Sequence, residues 1–299
     1  NEKLLFKRIL FGQDFSKYEV TNKNLKFIFF PYEFKEGRNV IIDLEKHINT
    51  YKFFIQLKEK FSNRAIIKEG IPKGTHKWYD LQQINKFFNY ECSKIIYPDI
   101  AKENRFLIDT IGLVPDMTCF FIPTEKPEYL TILNSKMFKF LASNYCPILG
   151  NIESGGRIRY KSSYLSKVPF PKISKEHIDK SLMLLNDRTE LINLNLFEKF
   201  STYFASNYHL DKLPGKLEKW YELEFVDFIK ELNKAIKAAK GTPLTKKDEF
   251  DWMDLFEENK KKALELKAQI DKTDKEIDQM VYELYGLSEE EIEIVESSN

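Results

Sequence analysis

The sequence predicts an α+β fold: a mixed strand-and-helix domain over residues 1–172, then a long antiparallel, coiled-coil-like helical region over 173–299. Three observations predict it. Up to the run Val168-Pro169-Phe170-Pro171, short apolar runs alternate with helical spacings, without a regular βαβ rhythm. Beyond it almost everything reads as helix, with long helices expected near 175–204 and 247–285. Charge changes sign at the same place. Residues 1–172 hold 28 Lys and Arg against 18 Asp and Glu, a net of +10, and residues 173–299 hold 19 against 28, a net of −9. The formal charge of +1 for the whole chain hides this asymmetry, which points to a polyanion-binding part joined to a part with another task.

At 299 residues there is room for two domains, each with its own core. Asn1 in place of Met leads us to expect a piece of a longer protein or a processed product. No apolar run approaches the roughly 20 residues of a membrane span, and no signal peptide opens the chain, so a cytoplasmic protein is expected. Cys92, Cys119 and Cys146 are far apart and odd in number, and are expected to be reduced and buried. None of the four histidines stands in ligand spacing with a cysteine, so no metal site is expected.

Taken in order, Leu25 to Tyr32 reads as a buried strand stopped by Pro31, and Val40-Ile41-Ile42 as a second. Leu44, Ile48, Tyr51, Ile55 and Leu57 then follow helical spacing, predicting one amphipathic helix that ends near Asn63-Arg64. Residues 68–81 are broken by Gly70, Pro72 and Gly74 and read as a loop. Lys94 to Pro98, Phe106 to Ile108 and Met117 to Ile122 are strand candidates. Pro127 to Asn144 reads as a helix with Leu130, Leu133, Met137, Phe140 and Leu141 inward and Pro127 at its start.

In the second half, Ser174 caps a helix whose seam is Ile178, Leu182, Leu185, Thr189, Ile192 and Leu196, stepping by four and three. A shorter helix after Pro214-Gly215 carries Phe225, Phe228, Ile229, Leu232 and Ile236. The longest helix opens on a Thr245/Asp248 capping box and closes on Gly286. Its seam runs Trp252, Phe256, Asn259, Ala263, Leu266, Ile270, Thr273, Ile277, Met280 and Leu284 without a slip. At about 1.5 Å per residue it is about 57 Å long. Its natural partner is the 178–196 seam, antiparallel, with Asn259 and Thr273 fixing register; dimerisation through the same seam is the alternative. Ser288 and Glu291 form a further capping box, which accounts for the acidic triplet Glu289 to Glu291.

Catalytic constellations are scarce. There is no Asn-Pro-Pro-aromatic motif of amino-group methylation and no Gly-rich loop after a strand, and Gly155-Gly156 suits a hairpin turn. After Pro98-Asp99 the next acid, Glu103, is followed by Asn104-Arg105, so the lysine of a nuclease motif is missing. Glu33-Phe-Lys35 and Glu265-Leu-Lys267 match half of that motif only. We therefore assign this chain no catalytic residue, no cofactor-binding residue and no metal ligand.

Cations interleaved with aromatics are more informative. Arg157, Arg159 and Lys161 alternate, which on a strand puts all three on one face, suited to phosphate or groove contact. Lys73, His76, Lys77, Trp78 and Tyr79 combine cations with rings in one loop, and Lys102 and Arg105 join the set on charge. These ten residues are the candidate DNA-binding set. For Arg157 to Lys161 the competing role is a solvated edge strand guarded by charge; for the loop it is Trp78 plugged into the core.

Several runs carry a family resemblance: Lys94-Ile-Ile-Tyr-Pro-Asp-Ile-Ala-Lys-Glu-Asn-Arg-Phe106, Pro115 to Ile122, Leu130 to Phe140, and Arg159-Tyr-Lys-Ser-Ser-Tyr-Leu-Ser-Lys-Val-Pro-Phe-Pro171. Their order and spacing resemble the TaqI-like C-terminal specificity domain. Glu276 to Glu291 looks like the C-terminus of type IIG restriction-modification proteins. The resemblance implies a target recognition domain for double-stranded DNA over 1–172, and a helical spacer and docking region over 173–299. It implies a parent whose methyltransferase and nuclease domains, in the same chain, use S-adenosylmethionine and Mg for adenine N6 methylation and cleavage. It does not fix which residues touch bases. The alternatives are a type I specificity-subunit fragment, a coiled-coil interaction protein without DNA binding, and a self-contained nuclease.

Overall fold

The computed structural model describes residues 2–22, 24–151 and 155–298. It is α+β and divides into two compact units, one of Asn1–Phe170 with Glu290–Asn299 and the other of Pro171–Glu289. Residues 290–299 therefore group with the first unit, not with the helices that precede them. Val295 is buried there, and Glu296 pairs with Lys136.

In the first unit β1 (Phe6–Leu10) lies between β2 (Phe27–Phe29), antiparallel, and β8 (Val114–Pro115), parallel. The expected Leu25–Tyr32 strand is shorter, because Pro31 ends the ladder, and its first residue Phe27 is 64% exposed. β3 (Tyr32–Lys35) and β4 (Arg38–Ile41) form a hairpin. The single helix expected from Leu44 is broken. A 3-10 turn, Leu44–Lys46, is followed by α1 (Ile48–Ile55), α2 (Lys58–Ser62) and α3 (Ala65–Gly70). The cause lies far away in sequence: the Glu2 carboxylate accepts from the Thr50 amide (2.9 Å) and hydroxyl (2.8 Å) and from the Asn49 amide, so a new helix starts at residue 48. These bonds hold the Glu2 carboxyl below its ordinary range. The buried positions are Thr50 and Phe54, while Ile48 is 61% exposed.

β5 (Lys94–Pro98) is buried at every residue and is the centre of an antiparallel sheet with β7 (Leu107–Asp109) and β9 (Cys119–Pro123) on its flanks. Even Lys94 is enclosed. Its ammonium donates to the Asp109 carboxylate (2.5 Å) and to the Tyr90 carbonyl (2.8 Å). Asp109 also accepts the amides of Ile111 and Leu113, both at 2.9 Å, and so shapes the turn between strands. Desolvation lowers the Lys94 pKa against the pull of its partner. Of the cysteines, Cys119 and Cys146 are buried, burial pushing the Cys119 thiol up to about 12; Cys92, expected to be buried, is exposed at the turn into β5.

The Pro127–Asn144 segment is two helices, α4 (Tyr129–Leu133) and α5 (Lys136–Tyr145). Ser135 restarts the helix by accepting from the Phe138 amide, and Asn134 turns inward to exchange two 2.9 Å hydrogen bonds with the Phe106 backbone. A third sheet follows, with β10 (Ile148–Leu149), β11 (Arg157–Arg159) and, on the far edge, β6 (Ile100–Ala101). A short helix, α6 (Ser162–Leu165), leads to buried Val168 and to Phe170, which packs edge-on against Tyr129.

The second unit is wholly helical among its described residues. α7 (Lys175–Asn193) is capped by Ser174, and α8 (Leu196–Asn207) follows after a break that the 175–204 expectation did not contain. Asn195, at φ 57, takes the left-handed conformation that asparagine tolerates better than most residues. α9 (Gly215–Glu218), α10 (Phe225–Ala238) and the first half of α11 (Lys246–Tyr285) enclose an aromatic core with α8, built on Phe200, Phe204, Trp220, Phe228, Trp252 and Phe256. Buried indole nitrogens find acceptors: Trp220 bonds the Phe197 carbonyl at 3.1 Å and Trp252 the Tyr208 hydroxyl at 2.9 Å.

α11 spans 40 residues, with both halves of the Thr245/Asp248 capping box formed and Gly286 ending it at φ 70. Every residue of its expected seam is buried or half-buried. α7 runs antiparallel to its second half, as the Ser181–Met280 contact (3.6 Å) and the Arg188–Asp274 pair (2.6 Å) show. The face that α7 uses differs from the expected heptad. Ser181, Leu184 and Arg188 are buried, while Leu182 is 40% exposed and Thr189 bonds back to the Leu185 carbonyl. Asn259 and Thr273 likewise bond back within α11, to the carbonyls of Leu255 and Gln269. The final helix is α12 (Glu289–Ser297).

Candidate nucleic-acid interface

β11 is the middle strand of its sheet. Ile158 faces Ile148 on one side and Ala101 on the other. A middle strand has its backbone fully paired, so its side chains stand at fixed positions. Inward go Ile158 and Tyr160, at 4% and 1% exposure. Arg157, exposed, and Arg159, half-buried, share the opposite face; β11 ends at Arg159, so Lys161, expected on the same strand, is exposed just beyond it at the start of α6. The edge-strand role that competed for this run is excluded by the pairing. Gly156 is required at the strand's entry: a Cβ there would lie 2.4 Å from the Ile148 side chain.

Lys102 belongs to the same face. Continuing the antiparallel register beyond Ala101 sets it opposite Arg157, and its ammonium reaches to 4.0 Å from where a Gly155 Cβ would stand. Arg105 does not join this group. It is half-buried, and its charge acts on the buried Tyr160 phenol and Cys119 thiol.

Two residues that sequence reasoning left out hold the face in place. Asn104, 1% exposed, donates to the carbonyls of Leu133 (2.9 Å) and Ser135 (3.0 Å), and its own carbonyl accepts from the Tyr160 hydroxyl at 2.7 Å. The β6–β7 link, the α4–α5 junction and the end of β11 are thereby tied at one buried amide. Burial holds the Tyr160 phenol far above its ordinary range, so it stays a donor. The second residue is Asp99, whose carboxylate lies 3.6 Å from Arg159 Nε, with both atoms shielded from solvent and no hydrogen bond between them. A periodicity search cannot find either residue, because each acts across the chain.

The other candidates sit on the loop after α3. Lys73 and Lys77 are exposed and His76 is half-buried beside Thr75. Trp78 is half-buried, edge-on to Tyr79 and near Phe61. Tyr79 is a core residue, 6% exposed, and its hydroxyl donates to the Ile42 carbonyl at 2.8 Å. It has no surface for a ligand, a correction to its place in the candidate set. Arg64 braces the loop from behind, its guanidinium donating to the carbonyls of Trp78 and Asp80. Among the described residues no group of three or more His, Cys, Asp or Glu could hold a metal ion, and no helix is long and apolar enough to cross a membrane.

Together these features define a class: a small α+β domain that displays two arginines on a paired sheet face, with two lysines at the strand ends, joined to a helical unit. Residues 7–170 match the TaqI-like C-terminal specificity domain, and the chain belongs to that family. Residues 172–281 match a domain of unknown function, DUF8810. Among curated proteins the chain is 24% identical over 173 residues to the Type II methyltransferase M.BanIII of Aneurinibacillus aneurinilyticus, covering 54% of this chain and 29% of that protein. Among solved structures it is similar to the Type IIL restriction-modification enzyme MmeI, determined in complex with DNA. That match has a TM-score of 0.38 and 16% identity, over 87% of this chain and 31% of the other. The chain thus spans about a third of the length of these relatives.

Proposed function

We propose that this chain reads a specific sequence in double-stranded DNA for a restriction-modification protein of the type IIG kind. Methyltransferase and nuclease domains in the same parent chain would carry out adenine N6 methylation and cleavage in the cytoplasm. The helical unit would serve as spacer and docking surface. The observation that carries the reading is the β11 face within a specificity-domain family: Arg157 and Arg159 on a central strand, with Lys161 and Lys102 just beyond the ends of β11 and β6. Cations held on a paired backbone suit a regular array of phosphates, and arginine can also read base edges. Lys73, His76, Lys77 and Trp78 form a second contact surface in this reading, with Arg105 in a supporting place behind the first. A methyltransferase in the same parent is supported by the curated relative, which is named as one and is far longer than the match. S-adenosylmethionine and Mg would be held by those domains, since the described residues here offer neither a Gly-rich loop after a strand nor a metal-ligand cluster.

The test is duplex binding by the 299-residue chain over a series of salt concentrations. Binding should fall steeply with salt, the log–log slope approaching about −0.9 per phosphate neutralised. Replacing Arg157, Arg159 and Lys161 together with alanine should cost at least tenfold in affinity and flatten that slope. Equal binding by the triple variant would remove the β11 face from the interface.

A further inference from the structure

The cations of the β11 face are not equivalent. Arg157, Lys161 and Lys102 are exposed and project from the sheet or its rim. Arg159 is the one pinned. It sits at the middle of the triplet, with its backbone paired to Ile100 and its amide bonded to the Pro147 carbonyl at 2.9 Å. Its side chain is 42% exposed and Asp99 lies beside its Nε at 3.6 Å. The Nε and the facing Asp99 oxygen are both enclosed and make no hydrogen bond. Among the described residues, the Arg159 guanidinium makes no hydrogen bond at all, so its two terminal amino groups remain open to a ligand.

This is an unusual state for an arginine with a carboxylate at hand. A pair serving stability alone would close to a forked, hydrogen-bonded geometry. Here the carboxylate approaches only the inner nitrogen. It supplies orientation and charge compensation while leaving the outer edge of the guanidinium free. An outer edge with two parallel N–H groups matches the O6 and N7 acceptors of guanine in the major groove. Desolvating an arginine against a base is also less costly with a neutralising carboxylate behind it.

Building on the proposed DNA-reading role, we infer that Arg159, positioned by Asp99, is a specificity-determining residue that reads a guanine, and that Arg157, Lys161 and Lys102 serve as phosphate contacts. Asp99 is a positioning residue. Its carboxylate would repel phosphates, and its enclosed oxygen lies beside Arg159 Nε, where it acts on the guanidinium.

The experiment is selection of bound duplexes from a randomised pool by the 299-residue chain, followed by affinity and salt-slope measurements on the selected duplex and on variants changed at each base pair. Wild type should return a motif with at least one required G·C pair. R159A should lose about tenfold or more of the preference at one such position and leave the rest of the motif intact. R159K should lose it too, because a lysine point charge cannot fork across O6 and N7. D99N should blur the same position. R157A and K161A should weaken all duplexes alike and reduce the salt slope by about one each, with the motif retained. A uniform loss in R159A and R159K with an unchanged motif would overturn the inference, as would a motif change that follows Arg157 or Lys161. R159K keeps the charge and the stem, so it guards against a simple folding failure. Wild-type binding without any motif would refute the guanine reading alone. Absence of duplex binding by wild type would refute the DNA-reading role itself, and this inference with it.

Discussion

At the scale of single residues, the site depends on groups that never reach the surface. Asn104 satisfies two carbonyls and one phenol, and all of these atoms lie in the interior. Replacing it with leucine would keep the volume but take this partner from the buried Leu133 carbonyl and Tyr160 hydroxyl, while the Ser135 carbonyl keeps the Lys139 amide at 3.2 Å. Each such group costs about 1–3 kcal/mol, so Asn104→Leu should destabilise the first unit by at least about 2 kcal/mol. Urea unfolding followed by the fluorescence of Trp78, the one tryptophan of that unit, would measure it; a loss under about 0.5 kcal/mol would show that the amide is not the tie we describe. Asp99, Asn104 and Asn134 are polar residues in short links, and nothing in their spacing marks them. Arg157 and Arg159, by contrast, were legible because strand alternation is a property of local backbone geometry, while Lys161 fell beyond the strand's end.

At the scale of elements, the two long helices show how far a seam can be read. The α11 seam is right at all ten positions, because a 40-residue helix averages out local exceptions. On α7 the expected face is turned by one position, with Arg188 buried and paired to Asp274 and Leu182 40% exposed. The two faces predict opposite outcomes. Leu184→Ala should cost about 2–5 kcal/mol, as a buried leucine does, whereas Leu182→Ala should stay within about 0.5 kcal/mol. Thermal or urea unfolding followed through Trp220 and Trp252 would decide; equal losses would favour the heptad face. The helices broken at His47, Ser135 and Asn195 share one lesson. Apolar periodicity carries across a break when both pieces bury the same side, so the interruptions show only in the Glu2 and Ser135 hydrogen bonds and in the left-handed backbone of Asn195.

At the scale of the whole molecule, the chain forms two units with separate cores, and its last residues belong to the first. Removing residues 290–299 would take away buried Val295 and the Glu296 partner of Lys136. The truncated chain should therefore lose stability in the Trp78-reported transition, by about 1–3 kcal/mol for one buried aliphatic side chain and its neighbours. The transition reported by Trp220 and Trp252 should not move. Equal shifts in both would show that the tail supports the molecule as a whole.

The sequence by itself determined the α+β class, the change of sign in charge near residue 172, the caps and seam of the longest helix, and the one-sided cations of β11. All of these are set by neighbours within a turn or a strand, where periodicity, capping and charge are written directly in residue order. Only the tertiary structure decided that β11 is a central strand, that Tyr79 is core, that α7 turns its Arg188 inward, and that Asp99 stands behind Arg159. Those outcomes depend on partners tens of residues away, and burial of a polar group is decided by whether such a partner is within reach.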